Sequence, residues 1–243
     1  MIQQAKLQNI LFIDIETVPI APKFEELSEE MQKLWSYRIN RFKPEEADES
    51  EYYFDKSGVY AEFGKIVCIS AGFFTHKNED EPYRFRVKSF YGHDEKEVLG
   101  EFLNLLQNHF NNPSRYFLCG HNIREFDIPY MCRRAVIHQL PLPNMLDINA
   151  LKPWEVPYID TMRAWKFGDY KNFTSLHLLA TLLDIPTPKS DMEGKEVATV
   201  YWEKDGLERI HKYCQQDVVA TAQLLLRFKR LPLIDNEQIT FIN

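Results

Sequence analysis

The pattern of apolar and polar positions predicts a series of β-strands in the first half of the chain. Residues 10–15 form a short apolar run rich in Ile and Phe that is closed by Pro19, as expected for a buried strand. Residues 65–74 and 83–92 are two further strand-like runs around a turn-prone polar segment, which predicts a β-hairpin. A fourth strand is predicted at 115–120.

Helical periodicity marks the segments between and after these strands. Asp94 is predicted to be the N-cap of a helix over 94–110, because its side chain can accept from the free N–H groups of the first turn. Residues 156–165 are predicted to contain a further strand or strand end. The predicted helices cover 94–110, 128–140, 174–183 and 206–228.

A polar, acidic segment interrupts this pattern between residues 22 and 56. Its apolar residues Leu27, Met31, Leu34 and Trp35 recur at helical spacing, which predicts a helix. The acidic stretch after Pro44 is predicted to be a flexible, solvated loop. We therefore expect an acidic insertion over about 20–60 within the surrounding fold.

The predicted order of elements is strand, hairpin, helix, strand, helix, strand and then helices. This order predicts an α/β fold in which helices flank a mixed central sheet, rather than an all-α or all-β fold. A first strand with antiparallel partners, followed by parallel strands with crossover helices, resembles the three-layer ribonuclease H-like fold. We expect residues 1–243 to form one such domain with the insertion at about 20–60.

Composition adds limits to this picture. The 243 residues are 44% hydrophobic, which is enough for a full core, and the net charge of −7 gives no overall basic character. A protein that binds nucleic acid needs only a local basic path, so this charge is weak evidence against that class. The four cysteines lack CxxC or metal-ligand spacing and are predicted to be reduced and mostly buried. No secretory or membrane-spanning apolar run is present, which predicts a cytoplasmic protein.

Two carboxylates, Asp14 and Glu16, lie within the first apolar run, in the sequence NILFIDIETVP. Residues two apart in a strand point to the same face, so these carboxylates project together while Ile13 and Ile15 face the other way. Their repulsion is costly when buried unless a cation neutralises it, and oxygen ligands favour Mg²⁺ or Mn²⁺. The alternative is a strand end that emerges into solvent, with one carboxylate capping the next turn.

Two further acids stand beside segments predicted to be buried. Asp127 follows the fourth strand in HNIREFD, and Asp217 lies in YCQQD within an otherwise apolar helix. Tyr213 is four residues before Asp217, so both occupy one helix face. Separately, Asp127 could be a helix N-cap and Asp217 a surface residue. Four acids placed in this way favour a shared site.

The motifs DIETVP, HNIREFD and YCQQD, in this order, resemble those of the DEDD 3′–5′ exonucleases. The tyrosine of the third motif assigns the resemblance to the DEDDy branch. The likeness is greatest to the proofreading exonuclease domain of family B DNA polymerases and its stand-alone relatives, and it extends over about 9–229 apart from the acidic segment. It implies a ribonuclease H-like fold and a 3′–5′ exonuclease that releases nucleoside 5′-monophosphates from single-stranded ends, with DNA preferred.

The resemblance also implies roles for individual residues. Asp14 would bridge two divalent cations, Mg²⁺ or Mn²⁺, with Glu16 and Asp217 completing the more tightly held site. Asp127 would hold the second cation, largely through water. Tyr213 would orient the attacking water, because a phenol with a reference pKa of about 10 is a poor general base at neutral pH.

The expected substrate contacts are Thr17, Val18, Asn122 and Phe126. Thr17 and Val18 match positions that line the pocket of the terminal nucleotide, and Asn122 and Phe126 match residues that contact the strand end and stack on it. Phe126 could equally be an ordinary core aromatic. Candidate phosphate contacts are Lys65, Arg124, Arg163, Lys166 and Lys189.

The histidines do not form a metal site in the predicted fold, and two alternative functions are compatible with the sequence. His121, His177 and His211 lack matching partners for metal binding and are predicted to be structural. An exoribonuclease with the same chemistry is the first alternative function, and a 2′-hydroxyl contact would distinguish it. A non-catalytic nucleic-acid-binding module is the second, and the presence of all four acids and the tyrosine argues against it.

Overall fold

A mixed β-sheet forms the centre of the protein. The computed structural model describes residues 2–44, 47–76, 82–148, 151–152, 155–169, 171–186, 192–204 and 206–242. Within these residues the strands are β1 (Ile10–Pro19), β2 (Gly64–Thr75), β3 (Arg84–Tyr91), β4 (Phe117–Gly120), β5 (Tyr158–Asp160) and β6 (Ile239–Ile242). Their order across the sheet is β5-β4-β1-β2-β3-β6.

The strand directions agree with the predicted mixed sheet. Strand β1 pairs antiparallel with β2, and β2 pairs antiparallel with β3, as the hairpin pattern predicts. Strands β4 and β5 join parallel to β1 on its other side. Strand β1 is therefore central, and it is longer than β4, which pairs only with its first three residues from Ile10 to Phe12.

Helices cover both faces of the sheet. They are α1 (Glu29–Ile39), α2 (Glu49–Lys56), α3 (Glu95–Leu105), α4 (Asp127–Ile137), α5 (Thr161–Lys166), α6 (Leu176–Leu182), α7 (Val197–Lys204) and α8 (Leu207–Phe228). Helices α3 and α4 pack on the face that carries Ile13 and Ile15, and α8 packs on the opposite face over Phe12. The predicted opposite orientation of the two β1 faces is confirmed.

One glycine sets how closely α8 approaches the sheet. A Cβ atom at Gly72 of β2 would lie 2.9 Å from a methyl group of Val218 on α8 and 2.5 Å from the ring of Phe85. Such contacts are too short for any side chain, so glycine at this position allows the long helix to lie against β2. Helix α8 is the element that carries the third motif.

Several elements differ from the sequence prediction. Residues 161–165, predicted as part of a strand or strand end over 156–165, lie in helix α5, whose N-cap is Asp160. The helix predicted over 94–110 is α3, capped by Asp94 as predicted, and it ends in a π-helical turn at Leu106–Phe110. Strand β6 and helix α7 were not predicted. Four residues in β6 are too few to show a period, and α7 is rich in β-branched and aromatic residues that favour strands when considered locally.

The acidic segment is more ordered than predicted. Helix α1 confirms the helical pattern, but the stretch expected to be a loop contains α2, whose cap Asp48 accepts from the backbone N–H groups of Ser50 and Glu51. Both helices pack around Trp35, which is fully buried among the rings of Tyr53 and neighbouring aromatics. Local capping and a shared aromatic core therefore fold this segment.

None of the helices in the described part of the chain combines the length and the apolar character that a membrane span requires.

Candidate active site

Strand β1 delivers Asp14 and Glu16 beyond the point where its neighbour β4 ends. One ligand atom from each of Asp14, Glu16 and Cys214 lies within 4.8 Å of the others, so the two carboxylates share one face as predicted. The Cys214 thiol of α8 donates to the Asp14 carboxylate at 3.3 Å and to its backbone carbonyl at 3.4 Å. Between Glu16 and Thr17 the pairing of β1 with β2 shifts register, and such irregularities are frequent beside functional sites.

Asp127 reaches the same site from the opposite side of β1. It is the first residue of α4 and is only 3% exposed, while the capping position belongs to Phe126, whose side chain makes no capping hydrogen bond. Because β4 ends early, the backbone N–H of Ile15 is free to donate to the Asp127 carboxylate. Asp127 therefore does not act as the N-cap of its helix, and it contacts the strand between the other two acids.

Helix α8 supplies the fourth acid and the tyrosine. Tyr213 and Asp217 are one turn apart, and the phenol lies within hydrogen-bonding reach of the Asp217 carboxylate. Both side chains are half-buried, so Asp217 is not an ordinary surface residue. His177 on α6 is close enough for its charge to lower the pKa of Asp217.

Burial raises the pKa values of all four acids, and repulsion within the cluster adds to this effect at Asp14 and Glu16. Burial raises the pKa of Asp14, and the charges of Asp217 and Asp127 raise it further. Burial also raises the pKa of Glu16, to which the charge of Asp14 adds. Burial brings the pKa of Asp127 to about 7 and that of Asp217 to about 6. The charges of Asp127 on α4 and Asp217 on α8 thus act on the two acids of β1.

The donor set suits a hard divalent cation. No lysine or arginine among the described residues forms an ion pair with any of the four carboxylates, so their repulsion is offset only at Asp217, by the charge of His177. Carboxylate oxygens are the ligands that Mg²⁺ and Mn²⁺ prefer. The buried thiol of Cys214 adds a soft group at the edge of the site, where no cysteine spacing predicts one.

The structure gives Thr17 and Val18 different surroundings from those expected. The Thr17 hydroxyl donates to the backbone carbonyl of Gly58 at 2.8 Å, and the Tyr130 hydroxyl donates to the same carbonyl at 2.9 Å. Val18 is fully buried against α7 and α8, so its side chain faces the core. For Val18, a substrate contact through the side chain is therefore not available in this conformation.

Asn122 and Phe126 lie in the turn that leads into α4. Asn122 adopts a left-handed conformation with φ of 68°, which asparagine tolerates better than most residues. Its carbonyl accepts from the backbone N–H of Phe126 at 3.0 Å. The Phe126 ring is partly buried and packs 5.4 Å from Tyr130, so it is both a core contact and partly accessible.

The candidate phosphate contacts that the structure describes fall into two groups. Lys189 lies outside the described residues. The Lys65 ammonium donates to the Tyr201 hydroxyl at 3.0 Å and lies 4.9 Å from the ring centres of Tyr201 and Trp202, so it already has partners. Arg124, Arg163 and Lys166 lie together beside a cavity next to α4.

Two residues that anchor the site have structural roles. His121 is tied by its ring nitrogens to the Thr161 hydroxyl and the Thr174 carbonyl, in agreement with a structural histidine. Asp160, which the sequence analysis missed, accepts from the backbone N–H groups of Asn122, Arg124 and Arg163. The sequence did contain a signal for this role, because an Asp directly before the start of a helix is a common N-cap.

Comparison with known proteins places this geometry in context. A family model described as "Predicted 3'-5' exonuclease related to the exonuclease domain of PolB" matches residues 59–232. This range includes the second and third motifs, and Asp14 and Glu16 precede it. The chain is also 27% identical over 180 residues to a DNA polymerase of Pyrococcus glycovorans, which covers 66% of this chain and 22% of the polymerase.

A solved structure agrees with this similarity at the level of the fold. The family B DNA polymerase of the archaeon Pyrobaculum calidifontis superposes with a TM-score of 0.51 and 16% identity, over 90% of this chain and 24% of that one. The chain thus spans about a quarter of the length of either polymerase. The predicted ribonuclease H-like α/β fold is confirmed.

Proposed function

Because the chain belongs to the family of predicted 3′–5′ exonucleases related to the exonuclease domain of PolB, we propose that it is a metal-dependent 3′–5′ exonuclease. In this proposal it hydrolyses phosphodiester bonds at the 3′ end of single-stranded DNA and releases nucleoside 5′-monophosphates. One observation carries the proposal. Four carboxylates from β1, α4 and α8 converge without a lysine or arginine ion pair among the described residues, and the charges of Asp127 and Asp217 raise the pKa values of Asp14 and Glu16.

The proposed metal ligands are Asp14, Glu16, Asp127 and Asp217. Two bound cations would neutralise these carboxylates and supply Lewis-acid stabilisation of the charge that develops on the phosphodiester. The donor set is preorganised, because Cys214 and the Ile15 backbone hold two of the carboxylates in place. Loss of one carboxylate is therefore expected to reduce the rate by orders of magnitude.

Tyr213 is proposed to position the attacking water. Burial, together with the nearby charge of Asp217, raises the pKa of Tyr213 well above its ordinary value, so the phenol stays protonated at neutral pH. A protonated phenol can donate and accept hydrogen bonds, but it does not act as a base. Orienting a water molecule is the role that this chemistry permits.

Substrate binding is proposed for the turn that leads into α4. Phe126 is partly accessible and presents a ring on which a base can stack, which is worth about 1–3 kcal/mol per base. Asn122 places an amide beside the same turn. Thr17 would contact the terminal nucleotide only after releasing the Gly58 carbonyl, and Val18 only through its backbone.

The proposal is tested with a 5′-labelled single-stranded DNA oligonucleotide in Mg²⁺ or Mn²⁺. We expect a ladder that shortens from the 3′ end with the native protein, and no ladder with Asp14→Asn. Asp55→Asn, which changes an exposed aspartate on α2, is the matched control and should retain full activity. A labelled RNA oligonucleotide of the same sequence measures the preference between DNA and RNA.

Two results would contradict the proposal. Activity that persists in excess EDTA would exclude a metal-dependent mechanism. Equal activity of Asp14→Asn and the native protein would show that the convergent carboxylates are not the catalytic centre.

A further inference from the structure

A cavity of about 720 Å³ lies beside the acid cluster, between α4, α5 and the connection that precedes β5. None of the four proposed metal ligands is among the described residues that line it. Asn122 lines it, and so does Ile128, the neighbour of Asp127. The cavity is thus adjacent to the proposed catalytic site and separate from it. Its apolar wall includes Leu142, Leu146, Val156 and Met162.

Cationic side chains dominate the charge of this cavity. Arg124, Arg133, Arg163 and Lys166 line it, against the two carboxylates Glu125 and Asp160. Asp160 already accepts from three backbone N–H groups, so much of its hydrogen-bonding capacity is used within the fold. The remaining charge favours an anionic ligand.

Arg124 carries an unpaired donor at this place. Its terminal nitrogen donates to the backbone carbonyl of Tyr158 at 2.8 Å, but its Nε is buried without a hydrogen-bond partner. Arg163 lines the same cavity, and its charge adds to the effect of burial in lowering the pKa of Arg124. Buried unpaired donors are costly, and an anion bound between the two guanidinium groups would offset this cost through charge-assisted hydrogen bonds.

Aromatic rings stand exposed in the segment that follows α5. Phe167 is 90% exposed in a left-handed conformation with φ of 44°, and Phe173 is 69% exposed. The Lys166 ammonium lies 4.3 Å from the Phe173 ring centre. The His121 bond to the Thr174 carbonyl anchors this segment to the turn after β4. Rings interleaved with cations are typical of surfaces that bind single-stranded nucleic acid.

We propose that this cavity binds a nucleotide, with its base against the apolar wall and its phosphate between Arg124 and Arg163. The cavity is large enough for a nucleoside monophosphate, and the exposed rings continue its surface outward. Ile128, the residue after Asp127 on α4, places the cavity next to the acid cluster. The expected source is a nucleotide of the strand held at the proposed catalytic site, and in this respect the inference rests on the proposed function. The released nucleoside monophosphate has the same chemistry and is the second source.

The first test measures the affinity for a fluorescent single-stranded oligonucleotide in EDTA, where hydrolysis does not interfere. We expect Arg163→Glu to weaken binding about tenfold or more, and Arg163→Ala to lower the slope of log K against log salt by about 0.7. Arg86→Glu is the matched control, because Arg86 is exposed on β3, several strands from the cavity. Unfolding temperatures of the variants establish that each one folds.

The second test reads occupancy of the cavity directly through Cys132. Cys132 lines the cavity and is partly exposed, whereas Cys68, Cys119 and Cys214 are fully buried. Burial raises the pKa of Cys132 to about 11, so modification by a neutral maleimide is slow enough to follow by mass spectrometry. We expect the oligonucleotide to slow this modification at least severalfold.

This test separates a nucleotide of the bound strand from a free nucleoside monophosphate, and it separates the proposed cavity ligand from the proposed exonuclease function. Protection by the oligonucleotide alone assigns the site to the strand, and protection by dAMP as well assigns it to the free nucleotide. An unprotected Cys132 together with unchanged affinity of Arg163→Glu would overturn the inference, whether or not the exonuclease assay succeeds. Protection in a protein that shows no exonuclease activity would leave the cavity assigned and contradict only the proposed function.

Discussion

Tyr213 and Asp217 show how single side chains divide the work at the proposed catalytic site. The acid lies one helical turn from the tyrosine and accepts its hydroxyl hydrogen, which fixes the direction of the phenol. Cys214 lies between them in sequence and donates to Asp14 on β1. Tyr213 and Asp217 thus share one face of α8, while Cys214 of the same turn points toward β1.

At this scale we predict that Tyr213→Phe slows hydrolysis by about 10²-fold while metal binding is retained. The ring and its packing remain, and only the hydroxyl that orients water is lost, an effect similar to removing one preorganised hydrogen bond. Single-turnover rates measured over a range of Mn²⁺ concentrations check this, with the midpoint in Mn²⁺ expected to be unchanged. Tyr37→Phe, at a tyrosine that is 80% exposed, is the control. Full activity of Tyr213→Phe would remove the role assigned to the phenol.

Helix α4 is the element that connects the acidic insertion to the site. Its Asp127 bonds to β1, and its Tyr130 holds the Gly58 carbonyl after α2. The buried Arg134 donates to Glu95 of α3 and to the Ala61 carbonyl at 2.9 Å. Helix α4 is therefore fixed on three sides, which keeps Asp127 at a constant distance from the other acids.

We predict that Glu95→Ala lowers the free energy of unfolding. The Glu95 carboxylate accepts from Arg134, His138 and the backbone of Ile66, and its removal leaves the buried Arg134 guanidinium without this counter-charge. Breaking a buried pair in this way costs about 3–5 kcal/mol of unfolding free energy.

Urea denaturation followed by fluorescence measures this change. Glu97→Ala on the same helix is exposed and should change stability by no more than about 0.5 kcal/mol. Equal losses for the two variants would show that the buried pair adds nothing beyond an ordinary surface charge.

The whole fold brings together acids that are about 200 residues apart in sequence. Strand β1 lies at the centre of the sheet, α4 follows the parallel strand β4, and α8 crosses the opposite face. Their carboxylates repel, so the metal-free protein carries a cost that the fold must offset from its core. This cost is a property of the assembled molecule and depends on pH.

At this scale we predict that Asp127→Asn stabilises the metal-free protein increasingly as pH rises from about 4 to about 7. The pKa of Asp127 is about 7 in the folded protein and about 4 when unfolded, so the folded state holds the extra proton in this window. The stability that this proton provides is complete below about pH 4 and is lost as pH rises through about 7. Asparagine keeps the acceptor for Ile15 but does not ionise.

Thermal unfolding in EDTA across this range checks the prediction. The unfolding temperature of the variant minus that of the native protein should be smallest near pH 4 and largest above pH 7. Mn²⁺ should raise the unfolding temperature of the native protein most at high pH, since it binds ionised carboxylates, and should raise that of Asp127→Asn less. A difference that is independent of pH would contradict the assigned pKa.

The sequence by itself determined strands β1 to β5, the main helices and the four candidate acids, because these depend on local periodicity and on residue type. Asp14 and Glu16 share a face for the simple reason that strands alternate. The family resemblance was likewise contained in three short motifs. Neither the short strand β6 nor helix α7 could be predicted, because the pairing of one and the burial of the other come from neighbours distant in sequence.

Only the tertiary structure decided what each side chain contacts. Lys65 lies over two aromatic rings, Val18 packs in the core, and Thr17 donates to the Gly58 carbonyl. Three residues that were expected to contact the substrate therefore have protein partners instead. It also placed Arg124 and Arg163 beside one cavity and Cys214 beside Asp14. The physical reason is that residue type and spacing determine what a side chain can do, whereas packing between distant segments determines which partner it meets.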